Sequence, residues 1–535
     1  MSPTSSLDTR GRGAGRASIR FPIRSDESIA MSENGQTECS RGRRLSYNRE
    51  GNPMRLDPDS CRQAMLSKDS RFDGRFFVGV VTTGIYCRPV CPAPTPKIEN
   101  VRFFATASAA ADAGLRPCLR CRPESAPGSV PWIGTAATVS RAMRLIQSGE
   151  LEAMKTEEIA GRLGLSARQL NRLFQRHLGA PPGAVVRTHR LHFAKKLLDE
   201  TDLKMADIAF SAGYGSIRRF NAVFRSTYGR KPTEVRRLAR DRGQVPESEA
   251  IDLALPFRQP YDVPAMLGFL ASRAIPGVEM AADGAYQRTI SFEGIAGWLR
   301  VSAAEDNRVL RVQVHFPNSK PLLAIVENVR RLLDLDADPA RIQPALEVDG
   351  RLAVAIDRHP GLRVPGAWDG FELAVRAVLG QQVSVRAAST LAGRLAAEWG
   401  EEMNDPACPG LTRIFPRAED LAEADVARIG LPRKRAETIR HLARAVAEGN
   451  LDLRPSVALQ EVRGQLLALP GIGPWTTEYI SMRALGDPDA FPAGDLGLLK
   501  AYGAGRTISA RELEDISQVW RPWRAYAAIL LWHLD

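Results

Sequence analysis

The chain has 535 residues, more than one hydrophobic core can organise, and this length predicts about three or four domains. Lysine and arginine outnumber aspartate and glutamate by 73 to 61, and the net charge of +12 favours an anionic partner such as nucleic acid. The sequence has no run of about 18 apolar residues, so we do not expect a membrane span. It has no charged-then-apolar leader, so we do not expect secretion.

Composition divides the chain into segments. Residues 1–45 are rich in Ser, Arg and Gly without apolar periodicity, so we predict that they are disordered; Met31 and Met54 leave later translation starts open. Residues 124–131 and 241–249 have the composition of linkers. We predict a multidomain, mainly α protein, with domains at 46–126 (small α+β), 132–240 (all-α), 251–360 (α+β) and 361–535 (all-α).

Four of the seven cysteines lie between positions 87 and 121. The spacing forms two close pairs, Cys87 with Cys91 and Cys118 with Cys121, and the stretch between the pairs has room for a strand and a helix. An odd total and local clustering argue against disulfides, whereas four thiolates suit one tetrahedral zinc ion. A set of unrelated buried cysteines is the alternative.

Residues 82–89, TTGIYCRP, and 115–123, LRPCLRCRP, resemble the N-terminal domain of the Ada methylation-response protein. The resemblance implies that Cys87 accepts a methyl group from a methylated DNA phosphate. Binding to zinc keeps a thiolate deprotonated and nucleophilic at neutral pH. Four thiolates on one zinc carry a net charge of about −2, which repels phosphate. Methylation of Cys87 would halve this charge and strengthen binding to DNA.

A helical repeat follows, in which IAGRLG at 159–164 resembles IAFSAG at 208–213. Each copy predicts a short helix, a glycine-containing turn and a second helix, at 156–163 and 167–178 and again at 205–212 and 216–228, with Ser166 and Ser216 near the N-caps. The pattern resembles the AraC-type DNA-binding domain. Candidate DNA contacts, for each of which a solvated surface position is an equal alternative, are Arg168, Gln169, Asn171, Arg172, Arg218, Arg219 and Asn221.

The second half opens with apolar–polar alternation at 310–314, typical of a strand, and a predicted helix at 321–335. Residues 466–476, LLALPGIGPWT, fit a helix-hairpin-helix, in which Gly471 and Gly473 permit a tight turn with exposed backbone N–H groups. Such a turn beside a helix N-terminus anchors phosphate without reading sequence. Asp495 follows in FPAGDLG, where it could cap a helix at 496–502 or carry out chemistry.

This pattern resembles the helix-hairpin-helix glycosylase superfamily, and LPFRQPYD at 255–262, VLGQQVSV at 378–385 and WRPWRAYA at 520–527 resemble its AlkA branch, the 3-methyladenine glycosylases. The resemblance implies that Asp495 stabilises a cationic sugar as the bond to the flipped base breaks. Trp475, Tyr479 and Trp532 would form an aromatic pocket for a cationic base. Gln382 stands where the best-known member inserts a leucine into the duplex.

Two features narrow the reaction that the resemblance implies. Trp475 stands where strand-cleaving members carry a Schiff-base lysine, and the last cysteine is Cys408, so an iron–sulfur cluster after it is excluded. We therefore expect a monofunctional glycosylase without a cofactor of its own. The Pro-Cys-His-Arg site of the usual Ada transferase domain is absent, so repair of oxygen-alkylated guanine is not expected.

The sequence thus predicts a fusion of an Ada-like zinc domain, an AraC-type double helix-turn-helix domain, an AlkA N-terminal-like domain and a helix-hairpin-helix glycosylase domain. We expect a cytoplasmic, nucleoid-associated monomer that binds damaged and promoter duplex DNA, with RNA polymerase as a further partner. One alternative is a transcriptional regulator whose glycosylase half is inactive and only binds DNA. Another is a glycosylase whose front half adds affinity and holds structural zinc.

Overall fold

The computed structural model describes residues 57–127, 137–147, 156–241, 250–305, 307–454 and 459–534. The disorder predicted for residues 1–45, the start sites considered at Met31 and Met54, and most of the two predicted linkers lie outside these ranges. Within them, no helix is both long and apolar enough to cross a membrane.

The first region is a four-stranded sheet flanked by helices. Strand β1 pairs antiparallel with β2 and with β3, and β2 pairs parallel with β4, which gives the order β3-β1-β2-β4. The strand and helix predicted between the cysteine pairs are confirmed as β3 and α2. The elements are α1 Pro58–Ser67, β1 Phe77–Val80, β2 Ile85–Cys87, β3 Val101–Phe104, α2 Ala107–Asp112 and β4 Arg116–Pro117.

The second region is helical and confirms both predicted helix-turn-helix units. Ser166 and Ser216 are the N-caps of α5 and α8, where each hydroxyl accepts a hydrogen bond from the backbone N–H three residues on, at 3.3 and 3.2 Å. The helices are α3 Ala137–Gln147, α4 Thr156–Arg162, α5 Ala167–Leu178, α6 Pro182–Glu200, α7 Met205–Ser211, α8 Ile217–Tyr228 and α9 Pro232–Arg240.

The third region contains a five-stranded antiparallel sheet in the order β5-β9-β8-β7-β6. The predicted strand at 310–314 lies within β9, and the helix predicted at 321–335 is observed at Leu322–Leu332. The elements are β5 Ile251–Pro256, α10 Val263–Ala271, β6 Glu279–Ala282, β7 Ala285–Phe292, β8 Ile295–Ala303, β9 Val309–His315, α11 Leu322–Leu332, α12 Pro339–Leu346 and α13 Gly350–Arg358.

The described part of the last region is helical and has two apolar cores. One core is built mainly from α14, α15 and α17, and the other joins α12 and α13 to α20 and α22. Helix α19 contributes side chains to both cores, so it is held from two sides. The helices are α14 Gly370–Leu379, α15 Val385–Trp399, α16 Ala418–Ala422, α17 Arg433–Ala447, α18 Leu459–Ala468, α19 Pro474–Arg483, α20 Leu496–Gly503, α21 Ala510–Ser517 and α22 Arg524–Trp532.

Helix α6 packs against the five-stranded sheet as well as against its own region. Lys196 donates to the carbonyl of Ala254 on β5, and the N–H of Ala254 donates to Glu200 at 3.0 Å. On the other side, the Tyr86 hydroxyl on β2 lies 2.8 Å from His192 Nε2. One continuous buried cluster joins α6–α9 to the sheet. We call this contact the α6 interface.

Candidate functional site

A glycine hairpin positions α19. Gly471 has φ +85°, and a Cβ there would lie 2.0 Å from the Thr438 hydroxyl of α17, so both conformation and space require glycine. Gly473 is the N-cap of α19, with Pro474 as the first helical residue. The hairpin therefore presents a helix N-terminus at the surface, as the sequence predicts.

Asp495 joins three elements through its carboxylate. Oδ2 accepts from Trp475 Nε1 on α19 at 2.9 Å, and Oδ1 accepts from Trp532 Nε1 on α22 at 2.9 Å. Oδ1 also accepts from the N–H of Leu498 at 3.1 Å, which makes Asp495 the N-cap of α20. Capping, predicted as an alternative to chemistry, is observed, and it leaves the carboxylate half-buried between the two indoles.

The three predicted pocket aromatics lie together. Trp475 and Tyr479 are four residues apart on α19, and their rings are stacked at 5.4 Å with planes 13° apart. Tyr479 and Trp532 have ring centroids 6.3 Å apart. All three side chains are half-buried. A cationic, planar ligand beside this aromatic wall would be stabilised by stacking and cation–π attraction.

Arginines surround Tyr479, and they were not predicted from the sequence. Arg483 Nη1 donates to the Tyr479 hydroxyl at 2.7 Å, and the guanidinium of Arg273 lies 3.6 Å above the neighbouring Phe269 ring. Withdrawal from water raises the pKa of Tyr479, but Arg483, Arg273 and Arg376 outweigh this effect and lower it. Arg483 lies four residues after Tyr479 on α19, a spacing that could have identified it.

Gln382 lies at the exposed turn between α14 and α15, in a left-handed conformation with φ +57°. Its neighbour Gln381 donates to the carbonyl of Gly471 at 3.0 Å and to the Thr476 hydroxyl at 3.1 Å. These bonds attach the turn to the hairpin, so Gln382 lies close to the glycine turn at Gly471. Gln381 was not identified from the sequence, where it is one polar residue beside another.

The four predicted metal ligands, Cys87, Cys91, Cys118 and Cys121, come together. Their sulfur atoms all lie within 4.8 Å of one another. Four sulfurs held by one zinc at ~2.3 Å would be about 3.8 Å apart, so the cluster has the size and chemistry of a zinc site. Backbone N–H groups turn toward it, including that of Arg88, 3.3 Å from the Cys121 sulfur. Cys121 is buried and the other three are half-buried.

The helix-turn-helix candidates lie on the exposed faces of α5 and α8. Gln169 has a further role, because its side-chain oxygen accepts from the N–H of Ser166 at 3.0 Å and closes a capping box. Its amide N–H₂ is the group that could donate to DNA. The exposed candidates are Arg168, Gln169, Arg172, Arg218, Arg219 and Asn221, whereas Asn171 is half-buried and donates to the carbonyl of Ala167.

Comparison with known families accounts for four consecutive parts of the chain. Family models match the metal binding domain of Ada at residues 60–124 and a helix-turn-helix domain at 159–238. They also match the AlkA N-terminal domain at 252–369 and the HhH-GPD superfamily of base excision DNA repair proteins at 375–523. Fold and site therefore define a multidomain DNA-binding protein that joins a metal-binding regulator to a DNA glycosylase.

Curated relatives match either nearly the whole chain or about half of it. The probable bifunctional transcriptional activator/DNA repair enzyme AlkA of Mycobacterium tuberculosis is 45% identical over 90% of this chain and 97% of its own length. The DNA-3-methyladenine glycosylase 2 of Escherichia coli is 36% identical over 52% of this chain and 96% of its own. The chain belongs to the family of bifunctional transcriptional activator/DNA repair enzymes of the AlkA type.

Proposed function

We propose that the C-terminal half excises alkylated purines such as 3-methyladenine from duplex DNA, and that Asp495 is its catalytic carboxylate. The observation that carries the proposal is the assembly of Asp495 with Trp475, Tyr479 and Trp532. Two indole N–H groups hold the carboxylate in a fixed orientation beside the aromatic wall. Such an arrangement suits a reaction in which positive charge develops on both sugar and base.

The two carboxylate oxygens of Asp495 differ in how many further hydrogen bonds they can accept. Within the described residues, Oδ1 accepts two hydrogen bonds and Oδ2 accepts one. Since each oxygen has two lone pairs, Oδ2 retains one for the sugar C1′ or for the attacking water. As the C1′–N bond breaks, its electron pair leaves with the base, and Asp495 stabilises the oxocarbenium-like sugar. Water then adds to C1′ and gives up a proton to the Asp495 carboxylate.

Substrate entry requires the base to leave the stack. In our proposal, the N–H groups of the hairpin at Gly471 and Gly473 anchor the phosphate backbone, and Gln382 fills the gap in the duplex. The flipped base then stacks on the aromatic wall, where an alkylated, cationic purine is favoured over a neutral one. Trp475 replaces the lysine that would cleave the strand, so the product is an abasic site.

For the N-terminal half, we propose that Cys87, Cys91, Cys118 and Cys121 hold one zinc ion and that Cys87 is the methyl acceptor. Bound zinc would keep the thiolate ionised and nucleophilic. The Cys87 sulfur attacks the methyl carbon of the phosphotriester and forms an S–C bond, and the phosphodiester oxygen leaves with the electron pair of the broken C–O bond. The exposed Arg168, Gln169, Arg172, Arg218, Arg219 and Asn221 would contact promoter DNA.

Base release from duplex DNA that contains 3-methyladenine tests the glycosylase proposal. We expect release by the wild type and none by Asp495→Asn, with similar melting temperatures. Asp405→Asn is a matched control, because Asp405 accepts from an indole N–H of Trp298 at 2.7 Å in a different core. If folded wild type releases no base, the glycosylase half only binds DNA. If Asp495→Asn retains full activity, another group is the catalytic carboxylate.

Mass spectrometry after incubation with methylphosphotriester DNA tests the acceptor proposal. We expect one methyl group on the peptide that contains Cys87 in the wild type and none in Cys87→Ser. Tighter DNA binding should accompany the methylation. If methylation is absent while zinc remains bound, the metal site is structural and the front half only adds affinity.

A further inference from the structure

Glu478 contacts the loop that leads to Asp495. It lies on α19, between Trp475 and Tyr479 in the sequence. Its Oε2 accepts from Arg463 Nη2 on α18 at 3.0 Å and from the backbone N–H of Phe491 at 3.0 Å. Arg463 also pairs with Asp487 at 2.9 Å, at the start of the same loop.

Backbone hydrogen bonds continue this contact to Asp495. The carbonyl of Phe491 accepts from the N–H of Ala493 at 3.0 Å, and the carbonyl of Pro492 accepts from the N–H of Asp495 at 2.8 Å. The Phe491 ring is buried, with its centroid 5.6 Å from that of Trp520. The segment from Phe491 to Asp495 is therefore a compact turn fixed at its first residue.

The first part of the loop has anchors of its own. Asp489 pairs with Arg521 and with Arg524, the latter at 2.9 Å, and the N–H of Ala525 donates to the carbonyl of Pro488 at 2.9 Å. Loss of Glu478 would leave these contacts intact. It would release the N–H of Phe491 and one partner of Arg463, and so loosen the turn that carries Asp495.

We propose that the Arg463–Glu478 ion pair is a positioning device, which sets the turn carrying Asp495 relative to the pocket helix α19. The inference rests on the proposed role of Asp495. Neither residue touches the carboxylate, so each acts through the backbone of the turn. Burial raises the pKa of Glu478, and the neighbouring Arg463 opposes this rise by favouring the charged carboxylate. A charged carboxylate makes a stronger hydrogen bond to the N–H of Phe491 than a neutral one would.

Single-turnover base release, with enzyme in excess over methylated duplex, measures the effect on chemistry. We expect about a tenfold loss for Glu478→Ala, equivalent to ~1.4 kcal/mol. Glu478→Gln keeps an acceptor oxygen for Phe491 but loses the charge that pairs with Arg463, so it should recover part of the rate. The Kd for duplex with an abasic-site analogue should stay within about twofold, since the hairpin is unchanged. Glu423→Ala, which removes the exposed Arg444–Glu423 pair of 2.9 Å, is the control and should have no effect.

A double variant tests whether Glu478 acts through Asp495. Trp475→Phe loosens the carboxylate directly, so combination with Glu478→Ala should cost less than the product of the two separate losses. Fully multiplicative losses would overturn the proposal, as would an unchanged rate in Glu478→Ala or an equal loss of DNA affinity. If Glu478→Ala does not fold, Arg463→Met takes its place in the same comparison. Asp495→Asn is measured in parallel. Full activity of this variant would refute the catalytic role of Asp495, whereas its inactivity beside an unchanged rate in Glu478→Ala would refute the positioning role alone.

Discussion

Within the described residues, Oδ2 of Asp495 accepts one hydrogen bond, which the indole N–H of Trp475 donates at 2.9 Å. Trp475→Phe removes this donor and keeps an aromatic ring beside Tyr479. A hydrogen bond to a charged group contributes about 1.5–3 kcal/mol, so the rate of base release should fall roughly 10- to 150-fold. Trp532→Phe should cost less, because Oδ1 keeps the N–H of Leu498 as a second donor at 3.1 Å.

Single-turnover release of 3-methyladenine is the assay, with the binding of abasic-site duplex measured beside it. Trp298→Phe is the matched control, because it removes an indole hydrogen bond of 2.7 Å to Asp405 in a different buried cluster. We expect the rate to be highest in the control, lower in Trp532→Phe and lowest in Trp475→Phe. Equal rates in all three folded variants would refute the view that directed hydrogen bonds orient the carboxylate. A loss confined to DNA affinity would assign the indoles to binding instead.

Three further perturbations test other parts of the molecule. Cys118→Ser should lower the zinc content measured by mass spectrometry, whereas Cys408→Ser, outside the cluster, should keep it. Arg218→Ala should weaken binding to undamaged duplex and lower its salt dependence by about one ion, with base release unchanged. Withdrawal from water raises the pKa of Asp334 to about 7. Below about pH 4 this residue is protonated in both the folded and the unfolded state, and the fold keeps its full stability. As the pH rises from about 4 to 7, the unfolded state loses the proton first, and the free energy of unfolding falls. Asp334→Asn should therefore raise the melting temperature more at pH 8 than at pH 5.

Local signals in the sequence were enough for much of the site. The glycines of the hairpin, the serine caps of α5 and α8, and the paired cysteines each depend on a few neighbouring residues, so spacing alone predicts their structure. The prediction for Asp495 combined a local turn with its distance from the hairpin, and the structure adds the indole N–H groups that hold it.

Contacts between distant segments could not be predicted in the same way. Arg273 reaches the surroundings of Tyr479 from a different region of the chain, and Gln381 reaches the hairpin across 90 residues. Glu478 resembles any solvated helix residue in the sequence, and only packing directs it at Phe491. Side chains of this kind are surface-like in composition, and their partners are fixed by the tertiary fold.

The α6 interface constrains how this gene can be divided. A cut between Asp241 and Ala250 would separate Lys196 from Ala254 and split a single buried cluster, in which Leu197 and Leu253 are fully covered. Each fragment would then expose an apolar face to water, and such faces promote aggregation. Separate proteins made from the two halves would therefore need polar substitutions along α6 and β5.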